Sequence, residues 1–148
     1  MNKGILNIAL ADDDADDQLI FREAIELVDI KTKLSFFDNG QELMDYLKLP
    51  NISLPDIIFL DLNMPIKNGM QCLKEIRKQP ELKNLSVAIY STSSSEKDIE
   101  ETFVNGANIY INKPVNFKAL QNVLEKVLQL QWQYHTSNLN RDTFLFRI

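Results

Sequence analysis

Ile5-Leu6-Asn7-Ile8-Ala9-Leu10-Ala11-Asp12-Asp13-Asp14 decides how this chain folds: a short apolar, β-favouring run breaks abruptly into three carboxylates. The run Ile5–Leu10 has four counterparts further on, Leu34–Phe37, Ile57–Leu60, Val87–Tyr90 and Ile109–Ile111. Segments of helical periodicity separate them. Ile20, Ala24, Leu27 and Val28 mark a first helix, and Leu43, Tyr46 and Leu47 a second. Met70, Leu73 and Ile76 mark a third, Ile99 and Phe103 a short fourth. Phe117, Leu120, Leu124, Val127 and Leu128 form the clearest stripe, a fifth. Turn-forming residues fall between the runs: Asn39-Gly40, Pro50 and Pro55, Asn68-Gly69, Pro80 and Pro114. Ser95 with Asp98 predicts a capping box opening the fourth helix.

Continuously apolar strands alternating with helices predict a parallel sheet covered on both faces. Right-handed crossovers make this a doubly wound α/β sandwich of five strands. The length of 148 residues suits one domain. A hydrophobic share of 45% and a charged share of 25% are those of a folded globular chain. Lys plus Arg number 16 against 21 Asp plus Glu, a net charge of −5, which argues against a dedicated nucleic-acid binder. One cysteine, Cys72, excludes an internal disulfide and a multi-cysteine metal site; its periodic apolar setting predicts a buried thiol. No apolar run approaches the ~20 residues of a bilayer-spanning helix. Lys3 before a few apolar residues imitates a signal peptide, but that stretch stops at Asp12 without a cleavage site. A cytoplasmic protein with no membrane partner is expected.

Ligands of open α/β sheets bind beyond the carboxyl ends of the strands. There the first run delivers Asp12, Asp13 and Asp14, and the third delivers Asp61. If those strands are neighbours, their carboxylates converge. At ~5 Å and an effective dielectric of ~20 each pair repels by about 3 kcal/mol, so the site calls for a cation. Oxygen ligands alone suit Mg²⁺ better than Zn²⁺. Asp14, Asp16 and Asp17 read instead as a helix start, where carboxylates favour the dipole. Asp12, Asp14, Asp16 and Glu23 also fall at calcium-loop spacing, but Asp17 stands where the sharp turn needs Gly. The fourth run ends in Ser91-Thr92 and the fifth in Asn112-Lys113-Pro114, adding a hydroxyl and an amine at the same edge. Acids, a neutral donor and a point charge are the mixture a phosphoryl group with Mg²⁺ requires.

With these residues in place, the sequence resembles a response-regulator receiver domain, the phosphorylated half of two-component signalling. Ala11-Asp12-Asp13-Asp14, Asp61-Leu62-Asn63-Met64-Pro65 through Asn68-Gly69, Ser91-Thr92 and Lys113-Pro114 carry the resemblance, with 22 positions from Ser91 to Lys113. It implies a (βα)5 flavodoxin-like receiver fold with strand order 2-1-3-4-5, a receiver domain over 1–130 and a C-terminal extension over 131–148. It implies Asp61 as phosphoacceptor from the phosphohistidine of a sensor histidine kinase. Asp13, Asp61 and the backbone carbonyl of Asn63 would ligate Mg²⁺ directly, with Asp12 acting mainly through water. Lys113 and Ser91, with Thr92 beside it, would meet phosphoryl oxygens, and Tyr110 matches the aromatic switch position. A plain exposed strand aromatic is the competing reading of Tyr110. Pro65 and Gly69 would shape the loop after Asp61. Ser91 in place of the commoner Thr, and Ala15 in place of Pro, are small departures.

Two other functions draw on the same residues. A haloacid-dehalogenase-like phosphatase would use Asp12 as nucleophile and Asp14 as general acid, leaving Asp61 unexplained. A non-phosphorylated pseudo-receiver scaffold usually lacks one of the residues kept here. About 18 residues after the fifth helix are too few for an output domain. Output is therefore expected through a downstream protein target or a phosphotransfer protein. His135 lacks the helical setting of a relay histidine. Trp132, Tyr134, Phe144, Phe146 and Ile148 give the extension an apolar face with strand alternation at its end. That face would cover the chain's own sheet edge or fifth helix, or build a homodimer.

Overall fold

The computed structural model describes the backbone of residues 4–134 and 145–146 and the side chains of residues 4–130. Strands and helices alternate: β1 (Leu6–Ala11), α1 (Ala15–Glu26), β2 (Thr32–Phe37), α2 (Gly40–Leu47), β3 (Ile57–Leu60) and α3 (Gly69–Lys78). They continue as β4 (Ser86–Ser91), α4 (Glu96–Val104), β5 (Ile109–Asn112), α5 (Phe117–Tyr134) and β6 (Leu145–Phe146). All described strand pairings are parallel, in the order β2-β1-β3-β4-β5-β6. The first five have the expected order 2-1-3-4-5.

Alternate residues of the central strands feed two cores. Ala9, Ala11, Ile58, Leu60, Val87, Ile89 and Tyr110 pack under α2, α3 and α4. Leu6, Ile8, Leu10, Ile57, Phe59, Ala88 and Tyr90 pack under α1 and α5. Both faces of β3 are therefore buried, which is why all four of its residues are apolar. Phe21, Phe59 and Tyr90 meet edge to face, with Phe21 centroids 5.0 and 5.6 Å from the other two rings. Cys72 is buried as expected, which pushes its thiol pKa up to about 12.

Several sequence expectations need correction. The buried stripe of α1 is Phe21, Ala24 and Ile25, with Val28 buried just past its end, whereas Ile20 and the C-cap Leu27 are 41% and 58% exposed. Packing against the sheet and α5 turned the helix by one position. β1 starts at Leu6, with Ile5 exposed, and runs through Ala11. α5 continues to Tyr134, beyond the boundary expected at residue 130. At α4 only half of the capping box forms: Ser95 accepts from the Asp98 N–H at 3.2 Å, but the Asp98 carboxylate accepts the Ser93 hydroxyl instead.

A sixth strand joins the sheet. Leu145 and Phe146 pair with Tyr110 and Ile111, covering the edge of β5. Of the two readings of the extension, this is the fold-back onto the chain's own sheet edge. His135, Phe144 and Ile148 lie outside the described residues, as do the side chains of Trp132, Tyr134 and Phe146. Among the described residues no helix is long and apolar enough to cross a membrane.

Candidate functional site

Strand register brings the acids together. Ala11 pairs with Leu60, so the next residues, Asp12 and Asp61, leave the sheet side by side. The Asp61 N–H donates to the Ala11 carbonyl at 3.0 Å. Asp12, Asp13 and Asp61 each offer a carboxylate oxygen within 4.8 Å of the others. Asp12 and Asp61 are buried and Asp13 is exposed. Three hard oxygen donors in such proximity fit a cation of the Mg²⁺ type. Asn63, whose carbonyl was expected to ligate, donates its N–H to Asp61 Oδ1 at 3.2 Å, which places its backbone beside that carboxylate.

Lys113 follows β5 and extends its ammonium into the cluster. Nζ lies 3.0 Å from Asp12 Oδ2, 3.4 Å from Asp61 Oδ2 and 2.8 Å from Asp17 Oδ2. It also lies 5.1 Å from the Tyr90 ring centroid. Burial pushes the Asp12 carboxyl up to about 6, against the pull of the Asp14 N–H and of Lys113. Burial likewise raises Asp61, with Lys113 opposing. For Lys113 burial disfavours the charge, but bonds to Asp17 and Asp12 outweigh it and hold its pKa above the ordinary lysine value. The site thus keeps buried negative charge that one ammonium does not neutralise.

Ser91 ends β4 fully buried, and its Oγ accepts the Ser93 N–H at 3.1 Å. The Lys113 N–H donates to the Ser91 carbonyl at 2.8 Å, tying the two strand ends together. Thr92 is exposed beside it. Tyr110 points inward, fully buried, and its hydroxyl donates to the Ser93 carbonyl at 2.8 Å. It is not an exposed strand aromatic. The loop after Asp61 returns through Pro65, and the Gly69 N–H donates to the Leu62 carbonyl at 3.1 Å.

Sequence reasoning assigned Asp17 to the helix start and missed its contact with Lys113. Its position four residues after Asp13, in the first turn of α1, was the available signal. Asp14 does what was expected, accepting the N–H groups of Asp16 and Asp17 as the N-cap. That engages the carboxylate a phosphatase would need as general acid. The calcium-loop spacing dissolves as well, because α1 begins at Ala15 and Glu23 lies exposed upon it.

A doubly wound sheet with buried acids, a lysine and a hydroxyl at one end defines a phosphoryl-handling signalling domain of the receiver class. The family model of the response regulator receiver domain matches residues 8–125. The chain belongs to that family. Response regulator Rcp1 of Synechocystis is 30% identical over 124 residues, 81% of this chain and 84% of its own. A probable methanogenesis regulatory protein, FilR2 of Methanothrix harundinacea, is 28% identical, covering 81% and 79%. The crystal structure of the phosphorylated cyanobacterial phytochrome response regulator RcpA superposes with a TM-score of 0.82 at 31% identity. That superposition covers 92% of this chain and 99% of the other. The Mn²⁺-bound form of Rcp1 gives 0.78 at 27% identity, covering 91% and 99%.

Proposed function

We propose that Asp61 accepts a phosphoryl group from the phosphohistidine of a sensor histidine kinase. The observation that carries this is the placement of the Lys113 ammonium within hydrogen-bonding reach of both buried acids, Asp12 and Asp61, where three strands end. An Asp61 oxygen bonds to phosphorus as the phosphorus–nitrogen bond of the donor breaks. Lys113 holds the charge of the transferring oxygens, and its attraction opposes the burial that raises the Asp61 pKa. Asp12, Asp13, Asp61 and the backbone carbonyl of Asn63 would hold Mg²⁺. Bound there, the metal supplies charge neutralisation for the phosphoryl oxygens. Two similar structures support this reading: RcpA is phosphorylated, and Rcp1 carries Mn²⁺.

Phosphorylation adds close to two negative charges and new acceptor oxygens, which bias a two-state element. In this reading the Ser91 hydroxyl leaves the Ser93 N–H for a phosphoryl oxygen, with Thr92 beside it. Tyr110, already buried with its hydroxyl on the Ser93 carbonyl, is the aromatic coupled to that move. The partners are the kinase, then a downstream protein target or phosphotransfer protein, in the cytoplasm. A second copy of the chain, docked through the face from β4 to α5, is the further partner. The domain promotes its own phosphorylation and dephosphorylation without being an enzyme on another substrate.

Intact mass after incubation with Mg²⁺ and acetyl phosphate tests the proposal. One added phosphoryl group, stable in acid, lost in base and absent from Asp61→Asn, is expected. Equal labelling of that variant overturns the assignment.

A further inference from the structure

The shortest of the three contacts made by Lys113 goes to Asp17, not to either buried acid. Asp17 is the third residue of α1, after the cap Asp14. An acid at that position ordinarily turns back to the backbone N–H of the cap and closes a capping box. Here that N–H is already taken, because Asp14 donates to Asp12 Oδ1 at 3.0 Å. The backbone of Asp17 is held by its own N–H to Asp14 Oδ1 at 3.1 Å, and its carboxylate crosses to Lys113.

An ammonium has three donors, and three carboxylates stand around this one. A phosphoryl group approaching Asp61 therefore competes with an acceptor already in place before one of its oxygens meets an N–H. Asp12 and Asp61 are buried and would find no water in exchange. The Asp17 side chain is 35% exposed, so it is the partner that can yield. We propose that Asp17 is a positioning residue that competes with the phosphoryl group for Lys113 and so slows phosphorylation of Asp61. This rests on Asp61 being the phosphoacceptor. Without Asp17, Lys113 keeps two buried acids and the Tyr90 ring, so a donor is freed while the side chain stays in place. Loss of the charge also lowers the repulsion met by an anionic phosphodonor.

The test follows acetyl phosphate labelling of the full chain in Mg²⁺, across donor concentration and ionic strength. In this step an Asp61 oxygen bonds to phosphorus as the bond to the bridging oxygen breaks. The electron pair departs with acetate, and no proton is exchanged. Asp17→Asn is expected to label roughly five- to tenfold faster at low donor concentration, with a weaker salt dependence. Asp17→Glu keeps the charge and is expected to return toward the wild-type rate, and Mg²⁺ affinity should stay close to wild type in both. A purely structural role at the helix start would lower thermal stability while leaving the labelling rate and its salt dependence alone. Unchanged or slower labelling of Asp17→Asn, beside a wild type that labels at Asp61, overturns the competition and leaves the phosphoacceptor intact. A wild type that takes up no phosphoryl group at Asp61 overturns both.

Discussion

A Cβ placed on Gly69 would lie 2.2 Å from the backbone carbonyl oxygen of Asp61. The loop leaving β3 thus returns to touch the residue it started from before α3 begins. Asn68 fixes that return, since its side chain accepts the Gln71 N–H while the Gln71 side chain accepts the Asn68 N–H, a complete capping box. The backbone that aims Asp61 and the start of α3 are consequently one packed unit.

Gly69→Ala should therefore lower stability by roughly 2 kcal/mol or more, because the contact is with backbone and no flexible side chain can move aside. Slower phosphorylation of Asp61 should accompany it. Urea melts and intact mass read the two effects, and a melt superimposable on wild type would show the loop free to shift.

Lys113→Ala leaves Asp12 and Asp61 buried without their cation. Removing one partner of a buried ion pair costs about 3–5 kcal/mol, and Mg²⁺ should restore part of that here. Thermal melts in EDTA and in Mg²⁺ should show a large loss in the first and a smaller one in the second. Equal losses in both would separate Lys113 from the metal-binding acids.

Asp13 is exposed, so Asp13→Ala should fold with a change within about 0.5 kcal/mol. Mg²⁺ affinity should nevertheless fall more than about tenfold, since a carboxylate oxygen leaves the cluster. Titration calorimetry decides, and an unchanged affinity would move the cation elsewhere.

The pH dependence has a defined sign. Asp12 titrates at about 6 in the fold against 3.8 for the ordinary group, so its protonated form favours the folded state. Its contribution is complete below about pH 4 and is lost as pH rises through about 6. The metal-free protein should lose on the order of 2–3 kcal/mol from this group by pH 7. The lowered pKa of Glu75, which accepts from Lys48 and Lys67, acts in the opposite sense, but below that window. Melting temperatures from pH 5 to 7.5 should fall in EDTA, and the stabilisation by Mg²⁺ should grow over the same range. A Mg²⁺ effect independent of pH would remove Asp12 from the metal site.

The homodimer reading predicts that the full chain scatters light as a dimer at tens of micromolar and that a chain ending at Tyr134 does not. A monomeric full chain, with or without Mg²⁺ and a phosphoryl mimic, overturns it.

The sequence by itself determined the five-stranded alternation and the acids at its carboxyl edge. Strands buried on both faces read as near-continuous apolar runs, and a carboxylate directly after such a run marks its exit. Asp12, Asp13, Asp61 and Lys113 were legible for that reason, and the structure gathers them. The tertiary structure alone decided which face of α1 is buried, because Ile20 and Leu27 are as apolar as Phe21 and Ile25. It alone decided that β6 closes the sheet, since a two-residue strand exists only by pairing with β5. It also turned Tyr110 inward and carried Asp17 to Lys113. Asp17 and Lys113 are separated by 96 positions, and no local pattern encodes a contact made by four helical crossovers and the register of a sheet.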